Sequence, residues 1–162
     1  MKSPLKLHVV CLGNIARSPA AHYLLQHYLD KEKKKKNIDV EFIVTSSGLS
    51  GGYYSGMEDY SEDYLREKGI AADNFVSSKS TKEVLKEQDL VLCMEQYMVD
   101  RIKSMVHGRT PLVLTYREAA GEKGDIEDPY GYAKPKYYKI MYQIDECTKK
   151  ITERLLQGEI IK

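Results

Sequence analysis

The sequence predicts an α/β fold: a single doubly wound domain over residues 1–162, built on a central four-stranded parallel sheet flanked by helices. Two observations predict it. Short apolar runs of strand length alternate with longer segments of helical periodicity, the pattern of a parallel sheet covered on both faces. The first apolar run also breaks at a loop carrying Gly13 and Asn14 that leads straight into a helix, and open α/β sheets bind ligands beyond the carboxyl ends of their strands. A chain of 162 residues buries an adequate core as one domain, and no repeat or linker divides it.

Leu5 to Cys11 read as a short buried strand, and Leu12 to Ser18 as a tight loop, since Gly13 and Asn14 tolerate unusual backbone angles. Pro19 follows Ser18 at a first-turn position, and Ala20, Ala21, Leu24, Leu25 and Tyr28 then recur at helical spacing. Val40 to Ser46 form the second strand. The segment Gly48-Leu49-Ser50-Gly51-Gly52-Tyr53-Tyr54-Ser55-Gly56 is too glycine-rich for a regular element and is placed to border a site. Glu58 to Lys68 read as a helix stopping at Gly69, and Thr81 to Lys86 as a shorter helical piece. Asp89 to Met94 form the third strand, a helix runs from Glu95 to about Val106, and Leu112-Val113-Leu114 form the fourth strand. The last helix is expected from Lys134 to Leu156, with Ile140, Ile144, Cys147, Ile151 and Leu155 on one stripe.

The net charge of +1 provides no field that would gather nucleic acid or an anionic membrane, so neither is expected as a partner. The lysine run from Lys31 to Lys36 reads as the solvated end of a helix, where cations suit the carbonyl dipoles. No apolar run approaches the ~18 residues that cross a bilayer. The basic start at Met1 to Lys6 is followed by an apolar stretch broken by Lys6 and His8, without a cleavage site. A cytoplasmic location is expected, and release by a route without a signal peptide stays compatible with the sequence. Cys11, Cys93 and Cys147 are odd in number and widely spaced, which fits reduced thiols better than a disulfide framework or a zinc site. Cys93 and Cys147 read as core residues and His8 as a satisfied buried histidine. His22, His27 and His107 show no metal-ligand pattern, so neither a metal nor a cofactor is expected.

The chemistry lies in Val10-Cys11-Leu12-Gly13-Asn14-Ile15-Ala16-Arg17-Ser18-Pro19, where five residues separate a cysteine from an arginine. That pattern is weak alone and gains weight by joining a strand end to a helix start. Successive backbone N–H groups of such a loop, added to the free N–H groups of the helix, make a concave anion site for which phosphate is the natural occupant. Arg17 adds a planar fork able to grip two oxygens together. An electropositive cup also favours the thiolate, the nucleophilic form of cysteine. Further along, Asp125-Ile126-Glu127-Asp128-Pro129-Tyr130 carries a carboxylate before a proline that sets the local backbone direction. Expelling an aryl oxide from phosphorus needs a proton at the leaving oxygen, which Asp128 can supply.

These two segments together resemble the low-molecular-weight protein-tyrosine phosphatase family. Ser46-Ser47-Gly48, Gly69-Ile70 and Leu92-Cys93-Met94-Glu95 resemble further landmarks in the same order over nearly the whole chain. The resemblance implies a cysteine-dependent, metal-independent phosphoric monoester hydrolase acting on phosphotyrosine-containing proteins, with inorganic phosphate as product and competitive inhibitor. It implies that Cys11 attacks phosphorus, that Arg17 and the backbone of Leu12, Gly13, Asn14, Ile15, Ala16 and Arg17 bind the oxygens, and that Asp128 is acid and then base. Ser18 would bond the Cys11 sulfur, and a helix N-cap role is equally open to it and compatible with that bond. Asn14 and Ser46 would brace the loop, and Ile15, Tyr53, Tyr54 and Tyr130 would wall the substrate pocket.

The chain also departs from the family pattern. Ala16 stands where many members carry a second cysteine that protects the nucleophile, no histidine lies near Ser77-Ser78-Lys79 to support Asn14, and there is no tryptophan. Three rival readings compete. An arsenate reductase of the same fold would relay electrons through nearby downstream cysteines, which are absent. A protein-arginine phosphatase typically has threonine at the position of Ile15. A non-catalytic phosphopeptide-binding module would leave the joint presence of nucleophile, arginine and acid unexplained.

Overall fold

The computed structural model describes residues 1–108 and 110–161. Four strands, β1 (Leu5–Cys11), β2 (Phe42–Gly48), β3 (Leu90–Cys93) and β4 (Leu112–Thr115), form one sheet in the order β2-β1-β3-β4. All three pairings are parallel. The helices are α1 (Arg17–Lys35), α2 (Asp59–Glu67), α3 (Lys82–Lys86), α4 (Gln96–Met105), α5 (Tyr116–Ala119) and α6 (Lys134–Leu156). This is the expected four-stranded α/β sheet. Strand order reverses between β1 and β3, and right-handed crossovers leaving in opposite directions put α1 and α4 on opposite faces.

Two elements differ from the sequence expectation. The second strand starts at Phe42 rather than Val40 and continues through Ser47 and Gly48, because Val10 pairs with Ser47 and Cys11 with Gly48 across the sheet. Gly48 is therefore the end of a strand rather than the start of the glycine-rich loop. A Cβ there would sit 2.6 Å from the Leu12 carbonyl oxygen and 2.7 Å from the Asn14 nitrogen, so the loop after β1 can approach only a glycine. The short α5 was not anticipated. Thr115 and Glu118 close a capping box on it, with the Thr115 hydroxyl accepting from the Glu118 N–H at 3.0 Å.

The core lies between the sheet and its helices. On α1, Leu24, Leu25 and Leu29 are buried, and on α6 so are Ile140, Met141, Ile144, Cys147, Ile151 and Leu155, which bears out the expected stripe. Each fully buried aliphatic side chain contributes roughly 1.5–3 kcal/mol relative to exposure. One buried polar knot joins three helices. Asp145 of α6 accepts from Tyr28 Oη of α1 at 2.5 Å and Tyr64 Oη of α2 at 2.7 Å, with Lys68 Nζ at 3.1 Å. Burial alone would raise the Asp145 carboxyl, but these three donors together hold it below the ordinary carboxylate value.

His8 on β1 is buried between Thr45 Oγ1 and Ser47 Oγ, each 2.7 Å from a ring nitrogen. Burial, with a lesser contribution from His22, lowers its pKa to about 4, and burial likewise lowers His22 to about 4. Between about pH 4 and 6.5 the unfolded chain therefore binds more protons at both histidines than the folded one. Stability should be fully present above pH 6.5 and fall as the pH drops toward 4, by up to about 3 kcal/mol per histidine at 1.36 kcal/mol per unit. Urea unfolding at pH 7, 6 and 5 checks this, and a midpoint unchanged across that interval would refute it.

Candidate active site

The loop after β1 is held open from outside. The carbonyls of Cys11 and Leu12 accept from the Leu49 and Ser50 N–H groups at 3.0 and 2.8 Å, and that of Ile15 from the Glu58 N–H at 2.7 Å. The Gly13 carbonyl accepts from Ser77 Oγ at 3.2 Å and the Ala16 carbonyl from Ser61 Oγ at 3.1 Å. With the carbonyls engaged around the rim, the N–H groups of Leu12, Gly13, Ile15 and Ala16 have no acceptor among the described residues. A ring of free N–H groups at the start of a helix is an anion cup.

Cys11 lies at the foot of this ring, 2% exposed. Its sulfur accepts from the Asn14 N–H at 3.2 Å and lies 2.9 Å from Ser18 Oγ. The N-cap of α1 is Ala16, without a capping side chain, so Ser18 does not take the cap role. It sits within the first turn and its hydroxyl faces the sulfur, while the uncapped N–H groups of that turn remain free for an anion. Asn14 adopts the left-handed region, with φ of 53°, which asparagine tolerates better than most residues. Its amide is bonded at both ends: Oδ1 accepts from the Ser78 N–H at 2.9 Å, and Nδ2 donates to Ser18 Oγ at 2.7 Å and to Ser46 Oγ at 3.2 Å. The backbone of Ser78 thus supplies the support for Asn14 that no histidine near Ser77-Ser78-Lys79 provides.

Arg17 is 2% exposed, and one guanidinium nitrogen donates to Glu95 Oε2 at 2.8 Å and to the Ile126 carbonyl at 2.7 Å. Glu95 follows β3, the strand beside β1, so the sheet brings it to the same carboxyl edge as the loop. Sequence reasoning singled out Leu92-Cys93-Met94-Glu95 as a landmark but gave Glu95 no role; the usable signal was an acidic residue directly after a buried strand next to the arginine's own. The other terminal nitrogen of Arg17 lies 3.7 Å from Asp128 Oδ2. Asp128 is exposed, and its Oδ1 accepts from the Tyr130 N–H at 3.1 Å, an Asx turn closed across Pro129. One carboxylate oxygen orients the residue and the other faces the arginine.

Beside the cup lies an open cavity of about 450 Å³ lined by Ile15, Tyr54, Ser55, Gly56, Met57, Glu58 and Tyr130. Ile15, Tyr54 and Tyr130 meet there. Tyr53 is absent from the lining and is 81% exposed. Glu58, which sequence reasoning did not assign to the site, accepts from Tyr137 Oη at 2.9 Å. Burial raises its carboxyl above the ordinary range, with the negative charges of Asp128 and Asp59 adding to the effect. Cys93 and Cys147 are buried free thiols, as expected. Cys93 pairs with Val10, so its side chain shares the sheet face of Val10, opposite to that of Cys11.

The sequence and the fold have known counterparts. The low molecular weight phosphotyrosine protein phosphatase family profile matches residues 6–159. A protein-arginine-phosphatase of Bacillus subtilis is 30% identical over 147 residues, covering 90% of this chain and 93% of that protein. The low molecular weight protein-tyrosine-phosphatase Ptp of Acinetobacter johnsonii is 27% identical over 150 residues, covering 91% and 95%. Among solved structures, the YwlE arginine phosphatase mutant with a phosphorylated active-site serine superposes with a TM-score of 0.82 at 26% identity, over 98% of this chain and 100% of that one. With the family profile matched over residues 6–159 and the fold shared over nearly its whole length, the chain belongs to the low molecular weight phosphotyrosine protein phosphatase family.

Proposed function

We propose that this enzyme hydrolyses phosphotyrosine in proteins, and aryl phosphate monoesters generally, in two steps at Cys11. The observation that carries this reading is the joint presence around one cup of a buried sulfur hydrogen-bonded to the Asn14 N–H and the Ser18 hydroxyl, an arginine held at its rim, and a carboxylate 3.7 Å from that arginine. In the first step the Cys11 sulfur attacks phosphorus, the P–O bond to the phenol breaks, and Asp128 gives its proton to the departing oxygen. Glu95 and the Ile126 carbonyl occupy one nitrogen of Arg17, which leaves Nε and the second terminal nitrogen as the edge that grips the equatorial oxygens. In the second step Asp128 takes a proton from water, the water oxygen bonds to phosphorus, and the S–P bond breaks with the electron pair returning to sulfur. The Ser18 hydroxyl stabilises that leaving sulfur. Inorganic phosphate fits the same cup and should compete with substrate. No metal or cofactor enters either step.

Ile15 beside Tyr54 and Tyr130 gives the mouth an apolar, aromatic wall suited to a phenyl ring. Because the Bacillus subtilis relative is an arginine phosphatase, the test compares turnover of phosphotyrosine, phosphoarginine and phosphoserine peptides of one sequence. Phosphotyrosine should be turned over fastest. Faster release from phosphoarginine would assign the chain to that other chemistry, and no turnover of any would reject catalysis.

Ala16 leaves Cys11 without a thiol in its own loop, and Cys93 points to the opposite sheet face. Peroxide converts a thiolate to a sulfenic acid, which a nearby thiol traps as a disulfide before a second peroxide carries it irreversibly to sulfinic acid. Peroxide inactivation without added thiol should therefore be poorly reversed by later reductant. Ala16→Cys should recover more completely, and phosphate should slow inactivation of both. Full recovery of the native protein, with Cys11 joined to Cys93 or Cys147 on peptide mapping, would overturn this.

A further inference from the structure

Asn14 connects the catalytic sulfur to a residue on the body of α1. Ser46 Oγ, which accepts from Asn14 Nδ2 at 3.2 Å, lies 2.9 Å from His22 Nδ1. The directions of these bonds follow from the amide. Asn14 Oδ1 accepts from a backbone N–H, which fixes the amide so that Nδ2 is the donor to both serines. Each serine oxygen thereby receives a proton and has its own hydroxyl proton to place elsewhere. For Ser46 the available acceptor is His22 Nδ1. For Ser18 it is the Cys11 sulfur at 2.9 Å, with the Ser47 carbonyl a longer alternative at 3.4 Å. His22 must then be neutral with its proton on Nε2, and burial, which lowers its pKa to about 4, keeps it so. Its ring is stacked on Tyr23 with centroids 4.5 Å apart and meets the edge of Phe75 at 6.4 Å, so the lone pair of Nδ1 is held in place.

We propose that His22 is a positioning residue for the breakdown of the cysteinyl-phosphate: by accepting the Ser46 hydroxyl proton it orients Asn14 so that the Ser18 hydroxyl donates to the Cys11 sulfur. The proposal rests on the two-step reading given above. Without the acceptor at position 22, the Ser46 hydroxyl turns its proton toward Asn14 Nδ2; Oδ1 stays on the Ser78 N–H, but Nδ2 is pushed off Ser46 and its bond to Ser18 Oγ loosens. Ser18 then divides its proton between the sulfur and the Ser47 carbonyl. The sulfur becomes a poorer leaving group, which affects the second step more than the first, where the sulfur is the attacking atom and the phenol leaves.

The test uses rapid-mixing kinetics with an aryl phosphate of low leaving-group pKa, which resolve formation of the phosphoenzyme from its hydrolysis. His22→Phe keeps the stacking ring and removes the acceptor. It should slow hydrolysis by about tenfold, the effect of one hydrogen bond lost at a transition state, while the burst rate falls much less. His22→Asn, whose Oδ1 can take the place of Nδ1, should restore most of the rate. Ser46→Ala breaks the same link from the other end and should reproduce His22→Phe, which keeps the test available if the phenylalanine variant does not fold. In a Ser18→Ala background His22→Phe should add nothing, because its effect passes through Ser18. Equal loss in both steps, no recovery with asparagine, or a full tenfold loss in the Ser18→Ala background would each overturn the proposal. The wild-type arm separates it from the reading beneath: with no phosphoenzyme on Cys11 in the native protein, the two-step mechanism itself fails.

Discussion

Replacing Cys11 by serine should abolish turnover of an aryl phosphate while leaving phosphate binding in place. The cup is made of backbone N–H groups and Arg17, neither of which depends on the sulfur, and Arg17 is held by Glu95 and the Ile126 carbonyl independently of it. A serine hydroxyl at this position meets the same neighbours, Ser18 Oγ and the Asn14 N–H, yet is un-ionised and has no base beside it. The loss should be on the order of 10⁶ in kcat, the scale seen when a covalent nucleophile is removed outright. Steady-state rates and isothermal titration with phosphate measure the two halves of this expectation, and appreciable residual activity would reject Cys11 as nucleophile. Native enzyme quenched during turnover should carry its phosphate on Cys11 by mass spectrometry, and label on another residue would count against the assignment.

Asp128→Asn should slow release of a phenol of high pKa by roughly 10²–10⁴, the usual contribution of a general acid. The substitution is clean because the Asx turn needs only a side-chain oxygen to accept the Tyr130 N–H, and asparagine retains one. What disappears is the proton and the negative charge beside Arg17. A substrate whose leaving group has a low pKa needs little protonation, so its phosphorylation step should be much less affected. Measuring the burst rate against leaving-group pKa for both proteins should give a much steeper dependence in the variant. Parallel lines, with equal loss on every substrate, would reduce Asp128 to a structural role.

Much of this could be read from the chain alone because the informative contacts are local. The strand, loop and helix from Leu5 through α1 are contiguous, so the spacing of Cys11, Asn14 and Arg17 already implied a cup at a helix start. Periodicity located α6 at its observed ends, and the all-apolar run of β3 marked a strand covered on both faces. Asp128 was legible because the proline after it and the Tyr130 N–H confine it within its own turn. The short α5 escaped notice although its capping box, Thr115 to Glu118, stood in the sequence, because four residues carry too little periodicity to register against the strand before them.

The sequence by itself thus singled out the chemical groups, the Cys11 sulfur, the Arg17 fork and the Asp128 carboxylate, which the structure gathers around one cup. Only the tertiary structure decided how those groups are aimed. Pairing with β1 extended β2 to Gly48, whose missing side chain lets the loop close. Sheet order set Glu95 against Arg17 across 78 residues of sequence, and the bridge of Lys79 to Gly48 at the end of β2 set Ser78 against Asn14 across 64. Helix packing on β2 brought His22 to Ser46, and loop conformation turned Tyr54 rather than Tyr53 toward the cavity. A local motif specifies itself through bonds and turns within a few residues. The partners that orient it are chosen by strand order and helix packing, which are properties of the whole buried core and have no signature at the motif itself.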